Sequence, residues 1–502
     1  MSVCRVRSLA LVGIDALPVD VEVDMGPGLP GFSVVGLPDA AVQEARERVR
    51  VAISNAGYRF PSKKVIVNLA PANLRKVGAA FDLPIALGIL AACGVVPPGG
   101  LSGMAVAGEL SLDGSLRGIR GALSLADGAR RGGLRGLLVP SENAPEAASI
   151  GGIDVYAAGS LEEAVGILRN GGTPVGGAPT VREDGSGEDF EGFEDVAGQG
   201  YAKRALEVSA AGGHNVLMSG PPGSGKTMLA RRLPGILPPL TLEESIEVTK
   251  VHSAAGLADG GLIRRRPFRA PHHTISASGL AGGGTNPRPG EVSLAHHGVL
   301  FLDELPEFGR QVLEVLRQPL EDGQVTISRV AGTVSYPARV TLVCSMNPCP
   351  CGYAGDRRRA CRCTPAQIER YRGRVSGPLL DRIDLFVEVP RLLGEELRAK
   401  GEAEPSERIR ERVERARKVQ LERQGVPNSA LSGKRLRGAC RLGPGAEALL
   451  VRAVDRMGLS GRAHDRVLRV ARTVADLAGS VEIGPEHLAE ALNYRRPGVL
   501  DR

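Results

Sequence analysis

The chain has 502 residues, which is too long for one hydrophobic core and predicts about three domains. Hydrophobic residues make up 42% and charged residues 24%, the proportions of a globular protein, so extensive disorder is excluded. The net charge of +7 permits binding of a polyanion, while the absence of Trp and an aromatic content of 3% argue against a nucleic-acid platform built on ring stacking.

The N-terminal sequence has no targeting signal. Residues 1–14 alternate charged and apolar side chains and lack the apolar run of a secretory signal. No apolar run reaches the roughly 18 residues of a membrane span. The eight cysteines are too few for a disulfide framework in a chain of this length. We therefore expect a cytoplasmic protein that does not bind membranes.

Residues 1–170 mix strand-like and helical patterns, which predicts an α+β domain. The clearest helix begins at Pro38 and ends before Gly57, with apolar side chains spaced among charged ones. Gly, Pro, Ser and acidic residues dominate 171–192 and predict a flexible linker. The strand-like runs of the first domain are 3–12, 63–69, 134–139 and 153–157.

Strands and helices alternate over residues 193–392, which predicts a parallel α/β core. Its strand-like runs cover 214–219, 298–302 and 339–345. Over 393–502 only helical patterns are found, which predicts a C-terminal helical domain.

A phosphate-binding loop follows the first of these strands and opens a helix at Met228. Glycines allow backbone N–H groups to surround phosphates, and the helix N-terminus adds a positive dipole. We expect Lys226 to reach the β- and γ-phosphates of ATP and Thr227 to hold Mg²⁺. The alternative, a glycine-rich turn, is disfavoured by the flanking strand and helix. The loop residues are Gly220, Pro221, Pro222, Gly223, Ser224, Gly225, Lys226 and Thr227.

Two carboxylates follow the apolar run 299–302, at the edge of a parallel sheet where ligands bind. Asp303 suits the Mg²⁺ shell, and Glu304 suits activation of the attacking water. Many strands end in acidic residues, so this pattern gains its weight from the preceding phosphate loop. Asn347 ends a further apolar run and could orient the water, although Asn before Pro is also a common turn former.

Four sequence blocks resemble the magnesium-chelatase-like AAA+ ATPases of the YifB/ComM type. The resemblance spans nearly the whole chain. It implies an α/β AAA+ P-loop core, an N-terminal α+β Lon-protease-like domain (ribosomal S5 domain 2-like) and a C-terminal helical lid. The blocks are FEDVAGQ at 193–199, PGEVSLAHHGVLFLDE at 289–304, NPCPCG at 347–352 and SGPLLDRID at 376–384.

The same resemblance implies roles for three polar residues. Asn347 resembles sensor 1, Arg382 the arginine finger and Arg462 the sensor 2 arginine of the lid. An arginine that neutralises charge on the transferring phosphoryl group from a neighbouring subunit requires a ring, and the resemblance implies a hexamer. Arg382 could instead pair with a neighbouring aspartate. Lid arginines that could substitute for Arg462 are Arg466, Arg469 and Arg472.

Four cysteines form two Cys-x-Cys pairs, with glycines that permit tight turns between them. Four thiolates suit tetrahedral Zn²⁺ in a closed structural site, which leaves no open position for catalysis. The spacing departs from the common Cys-x2-Cys, so reduced cysteines without metal are the alternative. The cysteines are Cys349, Cys351, Cys361 and Cys363.

Clusters of arginine around the predicted core are candidate DNA contacts, with solvated side chains or intersubunit salt bridges as the alternative. The histidine pairs at 272–273 and 296–297 are interpreted as polar loop residues rather than metal ligands. The arginines are Arg264, Arg265, Arg266, Arg269, Arg329, Arg339, Arg357, Arg358, Arg359, Arg362, Arg370, Arg372 and Arg374.

The N-terminal domain resembles a Lon-type peptidase that lacks its catalytic groups. Such a peptidase needs a serine activated by a lysine. Ala80 stands where the serine is expected, and 118–133, where the lysine is expected, contains none. We interpret the domain as a non-catalytic binding or assembly module. DNA contact or a solvated face are alternatives for its basic residues Lys63, Lys64, Arg75 and Lys76.

The leading hypothesis is an ATPase whose ring translocates on single-stranded or branched DNA, driving branch migration or unwinding during recombination of incoming DNA, as the YifB/ComM resemblance implies. The alternatives are a protein-remodelling ATPase and a magnesium-chelatase-type motor for metal insertion. The lack of a long acidic segment and the Lon-like domain argue against metal insertion. Unfoldases favour an aromatic residue in their pore loops, whereas DNA motors favour Arg and Lys.

Overall fold

The computed structural model describes residues 3–74, 76, 78–176, 192–257, 261–284, 287–329, 332–356, 358–392 and 404–495. The predicted linker falls mainly on residues 177–191, which lie outside the described residues. The predicted DNA contacts Arg75 and Arg357 also lie outside them.

The strands are, in chain order, β1 (Cys4–Val12), β2 (Asp15–Gly26), β3 (Gly31–Val35), β4 (Lys64–Ala70), β5 (Met104–Val106), β6 (Glu109–Leu110), β7 (Leu116–Arg117), β8 (Gly136–Pro140), β9 (Asp154–Ala158), β10 (Val216–Ser219), β11 (Phe268–Arg269), β12 (Gly282–Gly283), β13 (Arg288–Pro289), β14 (Val299–Leu302), β15 (Gln324–Arg329), β16 (Gly332–Pro337), β17 (Thr341–Met346) and β18 (Leu385–Glu388).

The α-helices are α1 (Ala40–Asn55), α2 (Asp82–Ala92), α3 (Ala122–Arg131), α4 (Ala144–Ala148), α5 (Leu161–Asn170), α6 (Gly200–Gly212), α7 (Lys226–Ile236), α8 (Leu242–Ala255), α9 (Ala277–Ala281), α10 (Glu291–Leu294), α11 (Arg310–Glu314), α12 (Arg317–Asp322), α13 (Pro365–Arg372), α14 (Gly377–Leu380), α15 (Ser406–Gln424), α16 (Gly433–Ala439), α17 (Pro444–Met457), α18 (Gly461–Leu477) and α19 (Pro485–Asn493). None of these described helices is long and apolar enough to cross a membrane.

The chain divides into two compact units, of which the first comprises Met1–Gly185 and Leu242–Ile263. Its main sheet has the order β3-β4-β2-β1-β5-β8-β9, with β1, β2 and β4 antiparallel and the remaining pairs parallel. Alternate residues of β2 are buried, as expected for a strand with one face against helices. Helix α1 begins where the Asp39 side chain accepts a hydrogen bond from the Val42 N–H. The first unit is a mixed α/β domain.

Helix α8 belongs to the first unit although the sequence analysis places it inside the ATPase core. Ile246 of α8 and Leu262 share a hydrophobic cluster with residues of α3 and β8. Lys250 is buried and forms an ion pair with the buried carboxylate of Asp127 on α3. The chain therefore leaves the second unit after Thr241 and returns to it at Arg264.

The second unit comprises Ser186–Thr241 and Arg264–Arg502 and contains a five-stranded sheet in the order β11-β14-β17-β10-β18. All its neighbouring strands are parallel, so their carboxyl ends meet at one edge. The strand that follows α14, β18, was not predicted. Strand β17 lies between β10 and β14. This order brings the ends of three predicted strands together.

The C-terminal part of the second unit is helical in its described residues, and α15 and α19 have the predicted bounds. Helix α15 packs against α6, α7 and α18. A buried polar group joins the helices, because Arg423 of α15 contacts Asp476 of α18 at 2.7 Å. Arg472 is fully buried beside the same aspartate at 3.1 Å. Arg472 therefore stabilises this helical domain and is not accessible to a nucleotide.

Candidate active site

The phosphate loop joins β10 to α7 and has a backbone that demands glycine. Gly223 and Gly225 have φ angles of +75° and +92°, in the left-handed region that side chains disfavour. A Cβ atom on Gly220 would lie 2.1 Å from the carbonyl oxygen of Val389, which follows β18. The loop is therefore packed closely against the end of the neighbouring strand.

Lys226 is buried at the first turn of α7. Its Nζ atom donates hydrogen bonds to the carbonyl oxygen of Gly220 at 2.7 Å and to Oδ1 of Asn347 at 3.3 Å. Desolvation lowers the pKa of Lys226, and the two carboxylates that follow β14 oppose this effect. A buried cation bound only by neutral dipoles is suited to binding an anion such as a phosphate group.

Asp303 lies at the centre of a hydrogen-bonded group of oxygen atoms. Thr227 donates from Oγ1 to Oδ2 of Asp303 at 2.8 Å, and Ser345 donates to Oδ1. A hydroxyl and a carboxylate oxygen at this distance fit the preference of Mg²⁺ for oxygen ligands. Ser345 was not predicted as a site residue, because its role depends on the adjacency of β17 and β14.

Glu304 occupies an unusual backbone conformation next to this group. Its φ and ψ angles are 55° and 49°, a left-handed conformation that costs a non-glycine residue about 1 kcal/mol or more. Its N–H group lies 3.3 Å from Oγ of Ser345, and its carboxylate is 55% exposed. Nδ1 of His273 lies 3.8 Å from Oε2 of Glu304. The sequence analysis treated His273 as a polar loop residue, so this contact is new.

Asn347 follows β17 and lies between the phosphate loop and the acidic pair, because β17 is the strand between β10 and β14. Its side chain reaches Lys226. The structure thus brings Lys226, Thr227, Asp303, Glu304 and Asn347 together at the carboxyl edge of one sheet. These groups can bind a triphosphate with Mg²⁺ and position a water molecule near a carboxylate base.

The four cysteines gather immediately after Asn347. The sulfur of Cys349 lies 3.4 Å from that of Cys351 and 3.6 Å from that of Cys361. The Sγ atoms of all four, including Cys363, lie within 4.8 Å of one another. Tetrahedral Zn²⁺ with bonds of about 2.3 Å requires sulfur separations of about 3.8 Å, which these distances approach. Backbone N–H donors of Arg362 and Tyr353 lower the pKa of Cys351 to about 6.

Arg382 lies at the opposite edge of the sheet. It precedes β18, whose first residue Leu385 pairs with Val216 at the start of β10. The phosphate loop lies at the other end of β10, which is about 13 Å long at about 3.3 Å per residue. Arg382 forms an ion pair with Glu321 and is 10% exposed. It does not contact the phosphate loop of its own chain.

Arg462 lies near Arg382 rather than near the phosphate loop. It is exposed in the first turn of α18. Burial lowers the pKa of Arg382, and the positive charges of Arg317, Arg466 and Arg462 lower it further. Arg466, one turn after Arg462, contacts Asp384 at 3.5 Å. An arginine cluster, defined as Arg317, Arg382, Arg462 and Arg466, therefore occupies this edge.

The predicted DNA-contact arginines divide into two groups. Some make internal contacts: Arg266 donates to the carbonyl oxygens of Pro238 and His297, and Arg269 pairs with Glu291 at 2.6 Å. These side chains stabilise the sheet and its loops. Others are exposed, and this group contains Arg264, Arg265, Arg358, Arg359, Arg362, Arg370 and Arg374. Of these, Arg359 lies over the ring of Tyr353 and Arg374 pairs with Glu307.

Two short hairpins project from the second unit's sheet sequence and pack on each other. One is formed by β12 and β13, the other by β15 and β16. Oη of Tyr336 donates to the carbonyl oxygen of Pro287 at 2.7 Å, and a Cβ on Gly282 would lie 3.1 Å from Ile327. Arg288 on β13 is exposed. The longer hairpin contains the predicted segment between Arg329 and Arg339.

In the first unit, Lys76 is fully buried, and its Nζ atom donates to the carbonyl oxygen of Pro71. The prediction that Lys76 contacts DNA or lies on a solvated face is therefore wrong. Desolvation lowers the pKa of Lys76. The sequence could not reveal this, because its charged neighbours suggested a surface segment. Ala80 lies in a short 3-10 turn before α2 and offers no nucleophile.

Comparison with known families identifies three matching regions. The profile of the family described as magnesium chelatase, subunit ChlI, matches residues 192–397. The profile of subunit ChlI of Mg-chelatase matches residues 21–143, and that of the ChlI C-terminal region matches residues 403–495. The matched regions cover the mixed α/β domain, the parallel sheet and the C-terminal helices in turn.

Individual relatives extend over the full chain. The competence protein ComM of Haemophilus influenzae is 45% identical over 504 residues, covering 99% of this chain and 98% of that protein. The protein YifB of Salmonella typhimurium is 44% identical and covers 99% of this chain and 97% of its own length. The 38 kDa subunit of magnesium chelatase from Rhodobacter capsulatus is 26% identical and covers 60% of this chain and 87% of its own length.

Proposed function

The chain belongs to the YifB/ComM family of magnesium chelatase ChlI-like AAA+ proteins, whose ATPase domain implies ATP hydrolysis, and on that basis we propose that it is a ring-forming motor that acts on DNA. Its substrate is ATP, and it drives branch migration or unwinding of single-stranded or branched DNA. The observation that supports the ATPase part best is the convergence of Lys226, Thr227, Asp303 and Glu304 at one sheet edge.

Each group at that edge has a separate task. Lys226 binds the terminal phosphates, for which it would exchange its contact with the Gly220 carbonyl oxygen. Thr227 and Asp303 hold Mg²⁺, which neutralises phosphate charge when bound. Glu304 accepts a proton from the attacking water. Asn347, held beside Lys226, orients that water.

The arginine cluster acts on the nucleotide of a neighbouring subunit. Arg382 and Arg462 lie at the edge opposite their own phosphate loop, so neither reaches the γ-phosphate in the same chain. A closed ring would place this edge against the next subunit's nucleotide and stabilise transition-state charge there. We take the ring to be a hexamer. Glu321, which pairs with Arg382 in the single chain, would release it on assembly.

The DNA part of the proposal is supported by the surface of the paired hairpins. Residues 324–337 contain one aromatic residue, Tyr336, and it is buried with its hydroxyl bonded to Pro287. Exposed hydroxyl pairs, such as Thr326 with Ser335 at 3.1 Å, lie along the longer hairpin. Hydroxyl and arginine side chains contact phosphates, whereas an exposed aromatic residue would suit a polypeptide. The hairpins therefore favour DNA over protein remodelling.

The four cysteines hold a structural Zn²⁺. Their separations fit tetrahedral coordination, and a fourfold thiolate set leaves no open position. The N-terminal domain, which we regard as Lon-like in fold, binds a partner or assists assembly without peptidase chemistry. Zinc occupancy would be checked by elemental analysis of purified protein.

The test of the motor proposal is ATP hydrolysis measured with and without single-stranded, double-stranded and branched DNA. We expect stimulation by DNA and its loss, together with basal hydrolysis, in Glu304→Gln. Hydrolysis that no DNA alters would refute the DNA part and leave protein remodelling as the better account.

Hairpin variants localise the DNA contact. Arg288→Ala combined with Arg329→Ala should abolish stimulation, reduce the salt dependence of DNA binding by about one unit of slope per lost phosphate contact, and keep basal hydrolysis. Arg410→Ala is a matched control, because Arg410 is a partly exposed arginine on α15 that pairs with Glu414 at 3.9 Å.

A further inference from the structure

The cysteine cluster touches the phosphate loop through one glycine. Gly352 follows Cys351, is buried, and has a φ angle of +84°. A Cβ atom at this position would lie 2.6 Å from Cδ and 2.8 Å from Cγ of Pro222 in the phosphate loop. Real side chains do not approach this closely, so the turn and the loop fit together only because residue 352 has no side chain.

A second connection runs through the backbone. Cys349 is buried and lies two residues after Asn347, whose side chain contacts Lys226 at 3.3 Å. Within the cluster, Gly352 donates its N–H to the carbonyl oxygen of Cys349 at 2.9 Å. The same four-residue turn thus contacts Pro222 at one end and positions Asn347 at the other.

Pro222 is bound from the opposite direction by Arg391, whose Nη2 atom donates to its carbonyl oxygen at 3.3 Å. The turn at Gly352 and Arg391 therefore fix the exposed tip of the phosphate loop between them. The tip has no further support from the positive-φ residue Gly223, around whose Cβ position no atom lies within 4 Å.

We propose that Zn²⁺ at the four cysteines braces the phosphate loop, so that zinc occupancy sets the affinity of the site for a nucleoside triphosphate. This inference rests on the zinc site of the proposed function and goes beyond it. Metal bonds join residues 349–351 to residues 361–363, and without them no covalent link fixes the turn that carries Gly352. The loop tip and Asn347 would then lose their fixed positions.

The cleanest test uses two alanine substitutions in the same turn region. Gly352→Ala introduces a methyl group that meets Pro222, whereas Gly355→Ala introduces one where no atom lies within 4 Å. Both glycines have positive φ, at +84° and +77°, so both substitutions impose similar backbone strain. Any difference between them reports the contact with the phosphate loop.

Zinc content and the Kd of a fluorescent ATP analogue are measured on the full chain. Gly352→Ala should retain zinc and raise the Kd about tenfold, while Gly355→Ala should retain both zinc and a Kd within about twofold of the original. Equal Kd values for the two variants would overturn the brace. A protein that contains no zinc would instead overturn the zinc site itself.

Chelation provides a measurement that does not depend on a variant that folds. Removing zinc from the unaltered protein should raise the Kd for the ATP analogue, and adding Zn²⁺ back should restore it. An unchanged Kd after verified zinc loss would overturn the brace. Neither result depends on DNA, so failure here is distinguishable from failure of the DNA motor proposal.

Discussion

Nδ1 of His273 lies 3.8 Å from Oε2 of Glu304, on the segment that follows β11 and leads into α9 and the β12–β13 hairpin. The imidazole of His273 stacks on that of His272 with ring centroids 4.1 Å apart. Because β11 pairs with β14, the two side chains extend from neighbouring strand ends. The base candidate is therefore in contact with the segment that precedes a proposed DNA-binding hairpin.

His273→Ala should lower kcat about fivefold, the effect of losing one polar contact that orients the carboxylate, and leave the KM for ATP nearly unchanged. His272→Ala is the control, because Nδ1 of His272 contacts Thr274 at 2.9 Å instead. Steady-state kinetics decide the matter. Equal losses in the two variants, or a loss confined to KM, would contradict a positioning role for His273.

Asp303→Asn should raise the Mg²⁺ concentration needed for half-maximal hydrolysis by at least about tenfold, because a carboxylate oxygen bonded to Thr227 is replaced by an amide. Thr227→Ser retains the hydroxyl and should behave like the unaltered protein, whereas Thr227→Ala should resemble Asp303→Asn. Mg²⁺ titrations of hydrolysis test this. Unchanged Mg²⁺ dependence in Asp303→Asn would remove Asp303 from the metal site.

Arg382→Ala should reduce kcat at least about a thousandfold and leave ATP binding intact, because the proposed contact forms on the neighbour's nucleotide. Mixing Arg382→Ala with Glu304→Gln subunits should restore part of the hydrolysis, since an intact base in one chain would then meet an intact arginine from another. Two inactive proteins that stay inactive when mixed, despite proven co-assembly, would exclude action between subunits.

The ion pair between Lys250 and Asp127 should dominate the acid stability of the first unit. Burial raises the pKa of Asp127, but hydrogen bonds from Lys250 and Arg130 outweigh it and lower the pKa below its ordinary value. A carboxyl with a lowered folded-state pKa contributes stability above the unfolded pKa of about 3.9 and loses it as pH falls through the folded value.

Asp127→Asn should therefore reduce the free energy of unfolding by about 3 kcal/mol at neutral pH, because it leaves Lys250 buried with only its 3.4 Å contact to Asp15. The difference in Tm between the two proteins should persist down to about pH 4 and shrink below it. Glu44→Gln removes an exposed carboxylate 3.9 Å from Arg48 and should have little effect. A pH-independent difference would contradict the linkage.

The sequence predicted those parts of the site that are local in the chain. Residues 220–227 and 303–304 are contiguous and follow apolar strands, so their placement at one sheet edge follows from parallel topology. The helices α15 and α19 were equally local, because capping and apolar spacing define them. The mixed α/β domain, the parallel sheet and the helical C-terminal domain were predicted in the same way.

Contacts between distant segments could not be predicted. Ser345 meets Asp303, and Gly352 meets Pro222, only after strands from different parts of the chain have paired. Lys76 has polar neighbours in sequence, yet the fold buries it. Periodicity records which residues face inward within one element and contains no information about which element covers them.

The path of the chain through α8 means that the first unit is not a simple N-terminal appendage. A protein shortened to begin at residue 192 would retain α8 but lose α3 and the sheet against which it packs. Ile246 and Leu262 would face water, and Lys250 would have no carboxylate from the missing segment. Such a fragment should be prone to aggregation, whereas a protease cut between residues 176 and 192 would leave the two pieces associated through α8.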